Sequence, residues 1–204
     1  MMNTEFLITS LIVVLLPGTG VIYTISTGLF QGARASLFAA LGCTVGIIPS
    51  LLACILGLAT IMHTSALLFQ IVKFAGAGYL LYLAWGMWKD TGSLALNENT
   101  EKVSMLKVSS RGFLINILNP KLSVFFLAFL PQFIPAQAET PFINMLILGF
   151  VFMVMTLIVF ISYGLLANSV SSYIVNSPKL MKYVQRSFSA TFAMLGAKLA
   201  LTER

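Results

Sequence analysis

Asn116-Ile117-Leu118-Asn119-Pro120-Lys121 interrupts an otherwise apolar run over about residues 112–134. Proline cannot donate a backbone hydrogen bond and clashes with the carbonyl four residues back, so a helix through this run breaks there. In lipid each freed backbone group costs several kcal/mol. A lysine ammonium at mid-depth costs from about 2.5 kcal/mol upward. Such features survive where protein, water or a ligand satisfies them. A second interruption, Pro17-Gly18-Thr19-Gly20, lies inside the 28 uncharged residues from Phe6 to Ala33.

The composition requires a membrane. Charged residues make up 9% of the 204 residues and hydrophobic ones 58%, with mean hydropathy +0.95; soluble domains carry about 25% charge. A water-soluble globule and a disordered chain are both excluded. Apolar runs fall at about 6–28, 35–62, 66–88, 112–134, 142–167 and 184–202. Each is close to the roughly 20 residues that cross a bilayer, so the chain reads as an all-α integral membrane protein with six transmembrane helices. Five spans are the alternative if a terminal run fails to cross. The amino-terminal MMNTEF has no basic residue and does not read as a cleaved signal, so the first run is expected to be retained. Residues 89–111 are the longest polar stretch, and His63-Thr64-Ser65 reads as a tight turn between spans.

The central loop divides one transporter domain, 1–204, into two three-helix groups, 1–88 and 112–204. Three spans is an odd number, so the second group enters with inverted polarity, giving a 3+3 inverted repeat with a broken first helix in each half. At 1.5 Å per residue, Pro17 at about 11 residues from one end and Pro120 at about 9 from the other both reach mid-depth. An offset of 103 positions pairs Pro17 with Pro120, Val21 with Val124 and Phe30 with Phe133. The identities are few; the matched breaks carry the reading, because paired Gly/Pro-interrupted spans point to a transporter's substrate site.

The excess of basic residues, net +6, sets topology rather than a nucleic-acid surface. Loops one, three and five hold Arg34; Lys89, Lys102, Lys107 and Arg111; and Lys179, Lys182 and Arg186. By the positive-inside rule these loops, the central one included, are cytoplasmic and both termini are periplasmic.

The helix segment after each break exposes positive partial charge, where a carboxylate can bind. The candidate substrate site is therefore Pro17, Gly18, Thr19, Gly20, Asn116, Asn119, Pro120, Lys121 and Ser123, with Tyr163 offering a hydroxyl from the fifth span. Lys73, His63 and Lys121 are the candidate coupling or gating groups. All six carboxylates, Glu5, Asp90, Glu98, Glu101, Glu139 and Glu203, lie at ends or in loops. The lysines must then be neutralised by backbone carbonyls, water, substrate or loss of the proton. Cys43 and Cys54 share a helix but sit about 16 Å apart along it, beyond the roughly 7 Å a disulfide allows. No metal site, cofactor site, nucleophile triad or GxxxxGK[ST] loop is legible, so no enzyme activity is expected. Small residues four apart, among them Gly42, Gly46 and Ser50, let helices approach closely, within the bundle or in a homo-oligomer.

Leu16-Pro17-Gly18-Thr19-Gly20, Gly28 and Gly32, Ala40-Leu41-Gly42 and Gly46, Lys73-Phe74-Ala75-Gly76-Ala77-Gly78-Tyr79-Leu80, Asn116 to Lys121, and Phe129-Leu130-Pro131-Gln132-Phe133 occur in this order. In this the chain resembles the LysE/RhtB family of bacterial amino-acid exporters, most closely its homoserine/threonine branch, over essentially its whole length. The resemblance implies a multi-pass inner-membrane carrier in the lipid bilayer that expels amino acids, homoserine- or threonine-like or other small neutral ones, by alternating access as a proton-coupled antiporter. Relatives often read Pro-Gly-Pro at the first break and carry an acidic residue in the second or fifth span; the comparable places here hold Ile47 and Thr156. The coupling ion and the particular amino acid stay open. A membrane thiol-relay enzyme on a related scaffold and a passive amino-acid channel are the alternatives.

Overall fold

The computed structural model describes residues 4–16, 18–64, 66–89, 104–117, 119–135 and 138–174, and positions spread between 183 and 201. The regular elements described are all helical. Helix α1, Thr4–Leu15, and α2, Thr19–Gln31, meet at 55° across the first interruption; Pro17 itself lies outside the described residues. Gly18 there is extended, with φ −115° and ψ −177°. Gly32 then turns the chain at φ +88° with open space around it, so conformation rather than room demands glycine.

Helices α3, Ala33–Val45, and α4, Ile47–Thr64, join at Gly46, whose φ of −63° and ψ of −11° nearly continue the helix. Their stretch Ala33–Gly57 has a mean hydropathy of 2.2. Helix α5 covers Ala66–Lys89. After the undescribed 90–103, α6, Met105–Ile117, and α7, Pro120–Ala128, meet at 49°, and a 3-10 turn, Leu130–Phe133, extends α7. Helix α8, Pro141–Ile174, is 34 residues long. Proline opens both α7 and α8, where its missing N–H costs nothing. Among the described residues two helical stretches, Ala33–Gly57 and Pro141–Ala167, are long and apolar enough to cross a membrane, or up to four if each bent pair counts as one span.

Several expectations are corrected. His63 and Thr64 are the last two residues of α4 and α5 begins at Ala66, so the expected turn loses these two residues to the helix, and Ser65 lies outside the described residues. The stretch 89–111 is not a loop throughout: Lys89 ends α5, and Met105 to Arg111 belong to α6. Basic residues tolerated by a helix end were read as loop because they are charged. Helix α8 runs past 167 to Ile174, because Asn168 and the serines after it do not break a helix. In the sixth run every described position between 183 and 201 is helical. Ser189 Oγ donates to the Ala84 carbonyl at 2.6 Å, and Gly196 lies against Ala77 and Leu81. The run therefore lies antiparallel along α5.

Glycine sets how closely the helices pack. A Cβ on Gly42 would strike the Ser109 carbonyl, and one on Gly46 would come within 2.5 Å of the Phe113 carbonyl. Gly112 answers from α6, where an added Cβ would lie 2.9 Å from the Ala39 carbonyl and 3.0 Å from the Cys43 nitrogen. The Gly42/Gly46 face thus serves α3–α6 packing within the chain. A Cβ on Gly28 of α2 would meet the Gly164 carbonyl of α8, and one on Gly164 would meet the Ser36 side chain of α3. Phe125, Phe126 and Phe152 lock α7 to α8, with ring centroids at 5.0 and 5.2 Å from Phe152. Outward faces carry large apolar side chains, such as Leu67, Phe150 and Ile158, as a lipid solvent requires. Trp85 and Trp88 are exposed at the end of α5, in keeping with an interfacial belt.

Candidate functional site

Because α1 stops at the interruption, its last carbonyls have no helical partners. Three side-chain bonds take them. Lys121 Nζ donates to Val13 O at 3.2 Å and Leu16 O at 3.1 Å, and Tyr163 Oη donates to Leu15 O at 3.0 Å. A cation at a helix C-terminus also opposes the negative end of its dipole. Backbone carbonyls are thus what holds the intramembrane lysine.

The second break is pinned differently. Asn119 caps α7 by accepting from the Lys121 amide at 3.1 Å. Its Nδ2 donates to Asn116 Oδ1 at 3.4 Å, and Asn116 Nδ2 donates to the Cys43 carbonyl of α3 at 2.8 Å. Leu122 N donates to Asn119 O at 3.1 Å, so the described first-turn donors of α7 are engaged. By contrast, α2 begins at Gly18 with no side-chain cap.

The two breaks face each other across a small cavity. Val13, Val14, Gly18, Gly20 and Val21 line it from one side; Asn116, Asn119, Lys121 and Leu122 from another; Phe152, Thr156 and Phe160 of α8 close it. Its volume is about 10 Å³, room for about one water, so this conformation is closed. Glycine makes the approach feasible. A Cβ on Gly18 would lie 3.0 Å from Lys121 Nζ, and one on Gly20 would lie 2.6 Å from Asn116 Oδ1 and 3.0 Å from Phe160 Cε2. Lys121 is the one charged side chain among the described lining residues.

Of the expected residues, Gly18, Gly20, Asn116, Asn119 and Lys121 converge on this cavity. Thr19 and Pro120 are exposed and do not line it. Tyr163 holds α1 rather than the cavity. Lys73 is buried in α5 with its Nζ 4.7 Å from the Phe74 ring centre, outside the cavity wall. His63 lies in the α4 backbone, its side chain outside the described residues, as is Pro17. Ser123 lines a different space, an open groove of about 470 Å³ between α4 and the α6–α7 break, with Pro49, Ser50, Ala53, Cys54, Ile117 and Leu127. There Ser50 Oγ donates to Ile117 O at 3.2 Å, capping α6 much as Tyr163 caps α1. Cys43 and Cys54 are free and buried, each beside a backbone carbonyl. Among the described residues no group of three His, Cys, Asp or Glu could hold a metal.

Sequence reasoning missed the α8 wall. Its signal was the four-residue spacing of Phe152, Thr156 and Phe160, which places them on one helix face. Thr156 is buried and donates to Phe152 O at 2.9 Å.

Known proteins share this arrangement of sequence. The chain is 33% identical over 195 residues to the homoserine/homoserine lactone efflux protein of Salmonella typhimurium, covering 96% of this chain and 94% of that one. It is 33% identical over 196 residues to an uncharacterized membrane protein of Vibrio cholerae, covering 96% and 94%. It is 28% identical over 199 residues to the leucine efflux protein of Klebsiella pneumoniae, covering 96% and 92%. No solved structure matches the chain. The model of the LysE type translocator family matches residues 11–203, taking in both breaks and the α8 wall, and the chain belongs to that family of membrane proteins.

Proposed function

We propose that the protein is a secondary carrier of the bacterial inner membrane that exports small neutral amino acids, homoserine- or threonine-like, by proton-coupled alternating access. The observation that carries this reading is the pairing across the first break. The negative end of α1 and the uncapped positive end of α2 face one buried cavity, and Lys121 stands between them. A zwitterion matches that arrangement. Its carboxylate takes the first-turn amides of α2 and the Lys121 ammonium. Its ammonium takes the Val13 and Leu16 carbonyls that Lys121 occupies in the closed form. Lys121 thus exchanges one set of partners for another, and no unpaired charge is left in the membrane at either stage.

The walls suit a modest side chain. Val14, Val21, Leu122, Phe152 and Phe160 are apolar. The Thr156 hydroxyl donates its hydrogen bond to Phe152 O, so toward a substrate hydroxyl its oxygen acts as an acceptor. No described lining residue is acidic, so a basic side chain finds no partner. Opening must precede binding, since pockets for small ligands run from roughly 300 Å³ upward. With no carboxylate among the described residues of the cavity wall, Lys121 is the leading coupling group, with Lys73 and His63 as further candidates.

The matched bends of 55° and 49° and the sixth run antiparallel to α5 support six spans as a 3+3 inverted repeat. The basic loops favour periplasmic termini and a cytoplasmic central loop. The relatives' names, homoserine and leucine efflux, favour export and a neutral substrate. The test is flux of labelled homoserine in reconstituted vesicles, with and without a pH gradient. Accumulation against the homoserine gradient that collapses with the pH gradient is expected. Flux that only equilibrates homoserine would make the protein a channel.

A further inference from the structure

The open groove and the closed cavity are related by the offset that pairs the two breaks. Adding 103 carries Pro17 onto Pro120. It also carries Val14 and Gly20 of the cavity wall onto Ile117 and Ser123 of the groove wall. Subtracting 103 carries Phe152 and Thr156 of the cavity onto Pro49 and Ala53 of the groove. First-half residues move forward and second-half residues move back, as exchange of two inverted halves requires. The match covers four of the twelve described cavity residues, while Val13 and Gly18 are carried onto Asn116 and Lys121 within the cavity itself; the pairs in α4 and α8 are the ones that the choice of Pro17 and Pro120 does not dictate. The two spaces differ in state: about 10 Å³ for the cavity and about 470 Å³ for the groove.

We infer that the α4–α7 groove is a second vestibule for the transported amino acid, the counterpart of the central cavity, and that transport opens one as it closes the other. The inference rests on the exporter reading. Helix α7 is the partition: Lys121 and Leu122 face the cavity, while Ser123 and Leu127 face the groove. No described residue lining the groove is charged. It therefore passes a zwitterion along the hydroxyl-bearing Ser50 and Ser123 without holding it, and the anchoring charge stays at Lys121.

The equivalent pair Ala53 and Thr156 provides the test. Ala53→Cys and Thr156→Cys are made separately in the full chain with native Cys43 and Cys54, the latter already in the groove wall, replaced by serine, and reconstituted. Modification by a charged, membrane-impermeant thiol reagent is followed at each site by mass spectrometry, with and without homoserine and a pH gradient. In the resting protein Ala53→Cys should react about tenfold or more faster than Thr156→Cys, because the state that exposes Thr156 is the minor one, about 0.1–10% populated. Homoserine with the gradient should slow the first and speed the second together. Reaction of Ala53→Cys with a lipid-soluble maleimide but not with the charged reagent would assign the groove to acyl chains and overturn the inference. So would a substrate response at Thr156→Cys with none at Ala53→Cys. Should Ala53→Cys fail to insert, Leu127→Cys reads the same groove. Homoserine flux by the unsubstituted protein, measured in parallel, separates the two levels. Absent flux defeats the exporter reading, whereas intact flux with unlinked labelling defeats the vestibule alone.

Discussion

Replacing Lys121 with alanine separates its structural work from its transport work. The structural balance has two opposing parts. Val13 O and Leu16 O lose their donor, and each buried unsatisfied group costs about 1–3 kcal/mol. Against this, the membrane no longer has to solvate an ammonium, which recovers about 2.5 kcal/mol or more. The two nearly cancel, so Lys121→Ala should insert and melt close to the wild type. Transport has no such compensation. A hydrogen bond from a charged donor contributes about 1.5–3 kcal/mol, so the loss of the carboxylate's ammonium partner should raise the half-saturating substrate concentration about 10- to 150-fold. The assay is initial-rate homoserine flux in reconstituted vesicles over a range of concentrations, with detergent melting on the same preparation. Wild-type affinity in a fully inserted Lys121→Ala protein would refute the placement of the carboxylate and with it the exchange of partners.

The other predictions use neighbours of the same site. Gly20→Ala should abolish flux, because its Cβ would lie 2.6 Å from Asn116 Oδ1, on a side chain whose two ends are each held by a hydrogen bond, whereas Gly18→Ala should be mild, its nearest neighbour at 3.0 Å being the end of a flexible lysine; vesicle flux compares them. Gly42→Val should destabilise the fold, since its Cβ meets the Ser109 backbone, while Gly57→Ala, with open space around it, should not; melting in detergent decides. Tyr163→Phe removes the donor to Leu15 O and should cost about 1 kcal/mol of stability with little change in apparent substrate affinity. Lysine in excess should fail to compete with homoserine for flux, since no described wall residue is acidic.

Helix class, membrane residence and both interruptions were legible in the residues, because hydropathy and proline act locally. A run of 28 uncharged residues has no soluble solution, and Pro120 breaks a helix whatever surrounds it. Legible for the same reason was the choice of Gly18, Gly20, Asn116, Asn119 and Lys121. Each is a polar, flexible or charged group in a place where lipid penalises it. The ends of helices were less legible: Lys107, Arg111 and Asn168 are polar but helical, because polarity does not end a helix unless the backbone also loses its bonds.

Only the tertiary structure decided what those groups do together. That Lys121 reaches across to α1, that Ser123 turns to the other face of α7, and that Phe152, Thr156 and Phe160 form the third wall depend on contacts between residues more than 25 positions apart. The Gly42/Gly46 face was open to a second chain until Ser109 and Phe113 were found upon it. Hydropathy reports each residue's preference for lipid over water, which is a one-body property. Which carbonyl accepts from which ammonium is a property of pairs, and it is settled when the helices pack.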